Sequence, residues 1–306
     1  MGPFGELFER QPAAADVPEG LPLVISLTGF TDAGGASSQL NEFFRDELRP
    51  EPLIVFNNDI LLDYRARRPL VYFDQDHLTA YRPASLKLSI ADDGVGQRFL
   101  VLAGYEPDFG WDTFAAAVVE LAEEFDVSSV TWVHSIPMPV PPTRPLGMTV
   151  SGNRRELIDV HSVWRPHTQV PATIGHLLEL RFGEAGLSVA GFVLLVPHYL
   201  ADTEHPGVAV AALEAIGIAT GLALTRDEMR EASREFLAKI QLQIEGNDEL
   251  NRMVIGLEER YDSYMAGSPL RSSLITDGDL PSADELAAEL ERFLASHPFG
   301  DDDTTK

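Results

Sequence analysis

Residues 23–35 read LVISLTGFTDAGG, and a helical pattern follows from Ala36 to Leu48. Leu23, Val24, Ile25, Ser26 and Leu27 form a short apolar run with β-branched members, the length of a buried strand. Thr28 to Gly35 break that run with Gly29, Gly34 and Gly35 before the helix begins. The order is strand, glycine-containing loop, helix. In an open α/β sheet such a loop lies beyond the carboxyl end of a strand, where ligands bind and helix N-termini present free N–H groups.

Outward from this unit, Leu53 to Phe56 reads as a second strand, and Leu86 to Ile90 alternates with period two before Asp92-Asp93-Gly94, predicting a hairpin into Arg98 to Ala103. Val130 to Val133 and Val189 to Val196 are further strands, the latter buried on both faces. Helices are expected from a cap at Asp112 to about Phe125, from Pro171 to just before Gly186, and from Pro206 to Ile216. Strands separated by helices of this size predict an α/β fold, an open and mostly parallel sheet flanked by helices, over residues 21–221. Residues 1–20, rich in Pro, Ala and Gly, read as a loose arm, and residues 57–85 as a polar loop with short strands.

After Gly221 the composition changes. Thr225-Arg226-Asp227-Glu228 is a capping box for a charged helix running to about Glu245. Gly246 and Asn247 break it, and a second helix carries Leu250, Met253, Val254, Leu257, Tyr261 and Tyr264 opposite Met229, Phe236, Ile240 and Ile244. Residues 222–266 are therefore expected to form an antiparallel helical hairpin with one apolar seam. Residues 267–306 read as a linker, a short helix opened by the capping box Ser282-Ala283-Asp284-Glu285, and an acidic tail.

With 48 acidic against 23 basic residues the chain carries a formal charge of −25, which repels phosphate backbones and anionic membranes, so neither nucleic acid nor membrane is expected as a partner. The longest apolar run is too short to span a bilayer. The absence of cysteine excludes disulfides, thiolate metal sites and cysteine nucleophiles. Residues 1–20 lack the basic and apolar regions of a secretory signal, and the expected location is the cytoplasm. At this charge, self-association requires an apolar contact, expected at the seam from Leu250 to Tyr264 or at a sheet edge.

Four strand ends could carry chemistry. At the first, Thr28, Gly29, Thr31, Asp32, Gly34 and Gly35 form a candidate ligand loop, although it matches neither a dinucleotide fingerprint nor a Walker loop and Asp32 opposes an anion. The second offers Tyr105, Glu106, Asp108 and Asp112, residues equally suited to acid-base work and to capping. The third has His134 and Ser135, which point to opposite faces of a strand, and Arg144 held by the proline-rich segment from Ile136 to Pro145. The fourth runs from Pro197 to Pro206 and contributes His198; its His, Asp and Glu spacing fits no metal scheme, and no metal or cofactor is expected. Arg154 and Arg155, in a turn with Glu156, read as salt-bridged.

TGFTDAGGASSQL, IPMPVPPTRP, PHYLADTEHPGVAVAALEAI and the acidic helical hairpin together resemble the actinobacterial branch of the proteasome assembly chaperone 2 family, over about residues 20–265. The resemblance implies a core similar to that of purine nucleoside phosphorylases and hydrolases, a homo-oligomer, and proteasome subunits as partners. It would place the phosphorylase phosphate loop on Thr28 to Gly35, but no arginine stands there, and Pro142 occupies the place where related bacterial sequences have histidine. The last residues, Asp303-Thr304-Thr305-Lys306, differ from the hydrophobic-tyrosine-X tail by which some proteasome partners dock. The resulting expectation is a non-catalytic oligomer of the proteasome-assembly-chaperone type; the alternative is a nucleoside- or phosphate-binding enzyme of phosphorylase shape.

Overall fold

The computed structural model describes residues 4–165, 167–224 and 227–266. The linker, last helix and tail expected within 267–306 lie outside the described residues, as do Thr225 and Arg226 of the capping box.

The described strands are β1 (Phe8–Arg10), β2 (Pro22–Thr28), β3 (Glu51–Phe56), β4 (Leu70–Asp74), β5 (His77–Arg82), β6 (Lys87–Asp92), β7 (Arg98–Tyr105), β8 (Ser129–Met138), β9 (Met148–Gly152) and β10 (Val189–Pro197). The helices are α1 (Ala36–Phe43), α2 (Asn58–Leu61), α3 (Trp111–Glu124), α4 (Arg155–His161), α5 (Ile174–Glu184), α6 (Pro206–Thr220), α7 (Asp227–Glu245) and α8 (Asp248–Ala266). The main sheet has the order β1-β3-β6-β7-β2-β8-β10-β9. Its four central strands run parallel, and antiparallel strands close both edges. The class is α/β with a parallel centre, as expected.

Alternation along β2 builds both layers. Leu23, Ile25 and Leu27 point to one face, against α3 and α5 with Phe114, Leu178 and Phe182. Val24 points to the other, where Leu40 of α1 and Val208 and Leu213 of α6 pack with Phe192 of β10. On the first face the Trp132 ring lies between two helix and strand glycines. A Cβ on Gly175 would stand 2.6 Å from that ring, and one on Gly191 would stand 2.3 Å from its Nε1. That nitrogen donates to Glu179 Oε2 at 2.7 Å.

Several expectations need correction. Of the arm expected over residues 1–20, the described residues are not loose: β1 pairs antiparallel with β3, Leu7 is buried, the Phe8 ring meets Phe56 edge-on at 5.8 Å, and Arg10 makes two bonds to Glu124 on α3. The apolar pair Leu7 and Phe8 supplies the burial that the Pro, Ala and Gly content obscured. Asp112 is not a cap, because α3 starts at Trp111 behind Gly110, whose φ of 66° ends the preceding loop. β8 continues past Val133 through His134 and Ser135 to Met138, paired with β10 along its whole length. Arg155 opens α4 rather than a turn, whereas Arg154 pairs with Glu156 at 2.9 Å.

Residues 57–85 contain the short helix α2 and a separate two-stranded ribbon, β4–β5. α7 and α8 form the expected hairpin around Gly246 and Asn247. Its seam is closed within the chain: Ile240, Ile244 and Val254 are buried with Leu200, alongside Phe236, Leu250 and Tyr199. The seam therefore packs on the turn after β10 and does not present the exposed contact expected for self-association.

Candidate functional site

The carboxyl ends of β2, β7 and β8 meet at one place, because these strands are adjacent and parallel. Thr28 ends β2 with its Oγ1 donating to the Gly104 carbonyl at 3.2 Å. Gly29 follows against Glu106; a Cβ there would stand 2.1 Å from Glu106 Oε2. Thr31 reaches across to β8, its Oγ1 2.8 Å from His134 Nε2. Glu106 and His134 line a cavity of about 20 Å³, bounded also by Gly29, Trp132, Thr173 and Ile174. Outside it lies an open cleft of about 470 Å³ lined by Thr28, Gly29, Phe30, Arg67, Glu106 and Asp108.

Within the glycine loop the Phe30, Gly34 and Gly35 N–H groups are already bonded inside the protein. Asp32 turns back onto α1: its Oδ1 accepts from Ser37 N at 2.7 Å, and its Oδ2 accepts from Ser38 N at 3.0 Å and from Ser38 Oγ at 2.6 Å. These are first-turn donors that α1 cannot satisfy from its own carbonyls. Gly34 and Gly35, each at φ 68°, donate to the carbonyls of Ala201 and Asp32. The His205 N–H donates to the Gly34 carbonyl, which locks the loop to the start of α6.

Glu106 does the same for the second loop. Its side chain is 7% exposed, with Oε1 accepting from Ile174 N at 2.6 Å and Oε2 from Phe30 N at 3.1 Å. Ile174 opens α5, whose other first-turn donors are served by the reciprocal capping of Thr173 and His176. Arg67 completes the cleft wall, bonding Asp108 and the Glu106 carbonyl and lying over the Tyr105 ring.

Burial pushes His134 down to about 4, with the neighbouring His176 acting in the same direction. His205 is pushed down to about 4 by burial as well; its Nδ1 accepts from Gly207 N at 3.1 Å and its ring stacks at 4.5 Å on Phe236 of α7. Both imidazoles are thus neutral at neutral pH.

Of the predicted residues, Thr28, Gly29, Thr31 and His134 converge, while Asp32, Gly34 and Gly35 stand behind them as a closed loop. Arg144 is elsewhere: it bonds Asp262 at 2.9 and 2.5 Å and Glu258 at 3.1 Å, fastening α8 to the proline-rich segment. His198, itself exposed, lies in the turn after β10 against Tyr199, ring centroids 5.4 Å apart. Sequence reasoning placed Glu106 among four acidic and aromatic candidates and missed its central position, together with Arg67 and His205. Nothing local to Glu106 distinguishes it from Asp108; the Gly29 facing it was the available signal.

Comparison with known proteins gives a match of residues 26–244 to the model of the PAC2 family. A protein of unknown function from Corynebacterium glutamicum is similar at 30% identity and a TM-score of 0.81, over 85% of this chain and 98% of its own. A Mycobacterium tuberculosis protein of unknown function is 38% identical with a TM-score of 0.78, over 86% of this chain and 90% of its own. A proteasome-assembly chaperone homologue from M. tuberculosis shares the fold at 18% identity and a TM-score of 0.69, over 76% of this chain and 100% of its own. No curated protein matches the chain.

Proposed function

Because the chain belongs to the PAC2 family, we propose that it is a non-catalytic, homo-oligomeric cytoplasmic protein of the proteasome-assembly-chaperone type, with proteasome subunits as partners. The observation that carries this reading is the β4–β5 ribbon. Leu70, Val71, Tyr72, Phe73, Leu78 and Tyr81 are each between 48% and 73% exposed. A two-stranded ribbon is marginal in water by itself, and apolar side chains exposed on both of its faces mark a place of association. Summed over both faces of the ribbon these side chains expose roughly 700 Å², so that only the two faces together approach the ~800 Å² per partner of a stable interface. For a chain of charge −25, apolar contact of this size offsets the mutual repulsion of copies.

The non-catalytic part draws support from Asp32 and Glu106, which satisfy the helix N-termini that a phosphate would otherwise occupy. Shared fold with a proteasome-assembly chaperone homologue supports the partner class. Among the described residues no helix is long and apolar enough to cross a membrane.

The test is light scattering on the wild type and on the triple variant Tyr72→Ser, Phe73→Ser, Leu78→Ser, followed by capture with recombinant proteasome α-subunits. An oligomer that becomes monomeric in the variant, and enrichment of α-subunits over a charge-matched control, are expected. A monomeric wild type with no enrichment would sink the reading. The open cleft favours one alternative, a nucleoside- or phosphate-binding enzyme, which requires a nucleoside or sugar phosphate to raise the melting temperature of the wild type.

A further inference from the structure

The Glu106 carboxylate is held as a bound ligand would be. Both of its oxygens accept from backbone N–H groups contributed by different elements, Phe30 in the loop after β2 and Ile174 at the first turn of α5. Its floor is the bare Cα of Gly29, where any side chain would collide with Oε2. The main chain of the same residue is fixed independently, its N–H donating to the Thr28 carbonyl at 2.7 Å and its carbonyl accepting from Arg67 at 2.5 Å. The backbone of Glu106 is therefore held in place by bonds that do not involve its side chain. Backbone N–H groups converging on one point from a helix start and a glycine loop are a general means of holding an oxyanion.

We propose that Glu106 is an internal pseudo-ligand: its carboxylate fills an anion cradle built by Phe30, Ile174 and Gly29, and a small external carboxylate takes that place once the Glu106 side chain is removed. The site is closed by its own chain and not merely lacking in polar groups. The inference rests on the non-catalytic reading and deepens it by naming what blocks the site. It also identifies the admissible ligand. The atoms lost in Glu106→Ala, which are Cγ, Cδ and the two carboxylate oxygens, are the heavy atoms of acetate. Acetate can thus restore both hydrogen bonds, and the ~20 Å³ cavity beside the carboxylate gives it room to settle.

The experiment compares melting temperatures in about 50 mM acetate and in chloride of equal ionic strength. Glu106→Ala is expected to melt on the order of 10 °C lower than the wild type in chloride, from the loss of two charge-assisted hydrogen bonds. Acetate should return about half of that loss or more, since a ligand selective for the folded state stabilises it by mass action. Glu106→Gln keeps the volume filled, so it should lose less and gain nothing from acetate, and the wild type should be indifferent to the anion. If Glu106→Ala does not fold in chloride, its refolding yield in acetate against chloride gives the same reading. Equal behaviour of Glu106→Ala in the two salts, or a gain by the wild type as large as that of the variant, would overturn the proposal. Nucleoside turnover by the wild type would instead defeat the non-catalytic reading and leave the acetate result standing.

Discussion

Thr31 Oγ1 and His134 Nε2 lie 2.8 Å apart, joining the loop after β2 to the interior of β8. The distance is within reach for a nucleophile and its base, yet the burial that pushes His134 to about 4 makes it a poor acceptor for the threonine proton at neutral pH. The bond is a tie between that loop and β8. It holds the loop over the cavity and makes the fold sensitive to acid.

That sensitivity has a defined sign. An unfolded imidazole titrates near 6.5, and the folded values of His134 and His205 lie below it, so their contribution is complete above about pH 6.5 and is lost as pH falls through about 4. Each should cost about 2 kcal/mol between pH 7 and pH 5. Urea midpoints measured across that range should fall, and His134→Gln, which keeps an acceptor for Thr31, should remove about half of the slope. A slope unchanged by the substitution would assign the acid sensitivity to other groups.

Asp32→Ala should destabilise the protein by about 1–2 kcal/mol in chemical denaturation, because it uncaps α1 at Ser37 and Ser38. Asp32→Asn, which retains an acceptor, should recover most of that. Equal losses in the two variants would mean that the charge at the helix start matters more than the hydrogen bonds.

Arg144→Ala should loosen one element only. The guanidinium, held above its ordinary value by the Asp262 hydrogen bonds, fastens α8 to the proline-rich segment. Hydrogen exchange in residues 227–266 should accelerate while the main sheet keeps its protection. Uniform acceleration across the sheet would show that the hairpin and core unfold together.

Gly191→Ala is expected to cost about 3 kcal/mol, since the new methyl group would overlap Trp132 Nε1 and Glu179 and break their bond. Tryptophan fluorescence should shift with the melting curve. A near-neutral substitution would mean that the ring has space to move which the packing does not show.

The central unit was legible because its signals are local: β2, the glycine loop and α1 follow one another, and the β6–β7 hairpin shows its period-two alternation. The ribbon was not, because Leu70 to Phe73 are exposed on both faces and carry no contrast between an inner and an outer side. β8 was cut short at Val133 since Pro137, paired opposite Val196, reads as a strand breaker although its neighbour on the ladder tolerates it. Site residues failed for a different reason. Arg144 was read as a ligand residue because its partners, Glu258 and Asp262, lie more than a hundred positions away, and the place of Glu106 was missed because its partners are main-chain atoms that no residue type announces.

The position of β2 in the sheet also sets an order of events in folding. Its two ladder partners are distant in sequence, with Leu23 opposite Leu100 on one side and Val130 on the other. This apolar strand therefore has no neighbour until β7 emerges, and is enclosed only when β8 follows. At ~5–20 residues per second that interval lasts on the order of ten seconds. A nascent chain with an unpaired run of Leu, Val and Ile over that time is exposed to wrong pairing, and long-range closure of this kind is slow in any case. The folding of this protein should accordingly be governed by the arrival of residues 98–138, and chains ending before them should be captured by general folding factors.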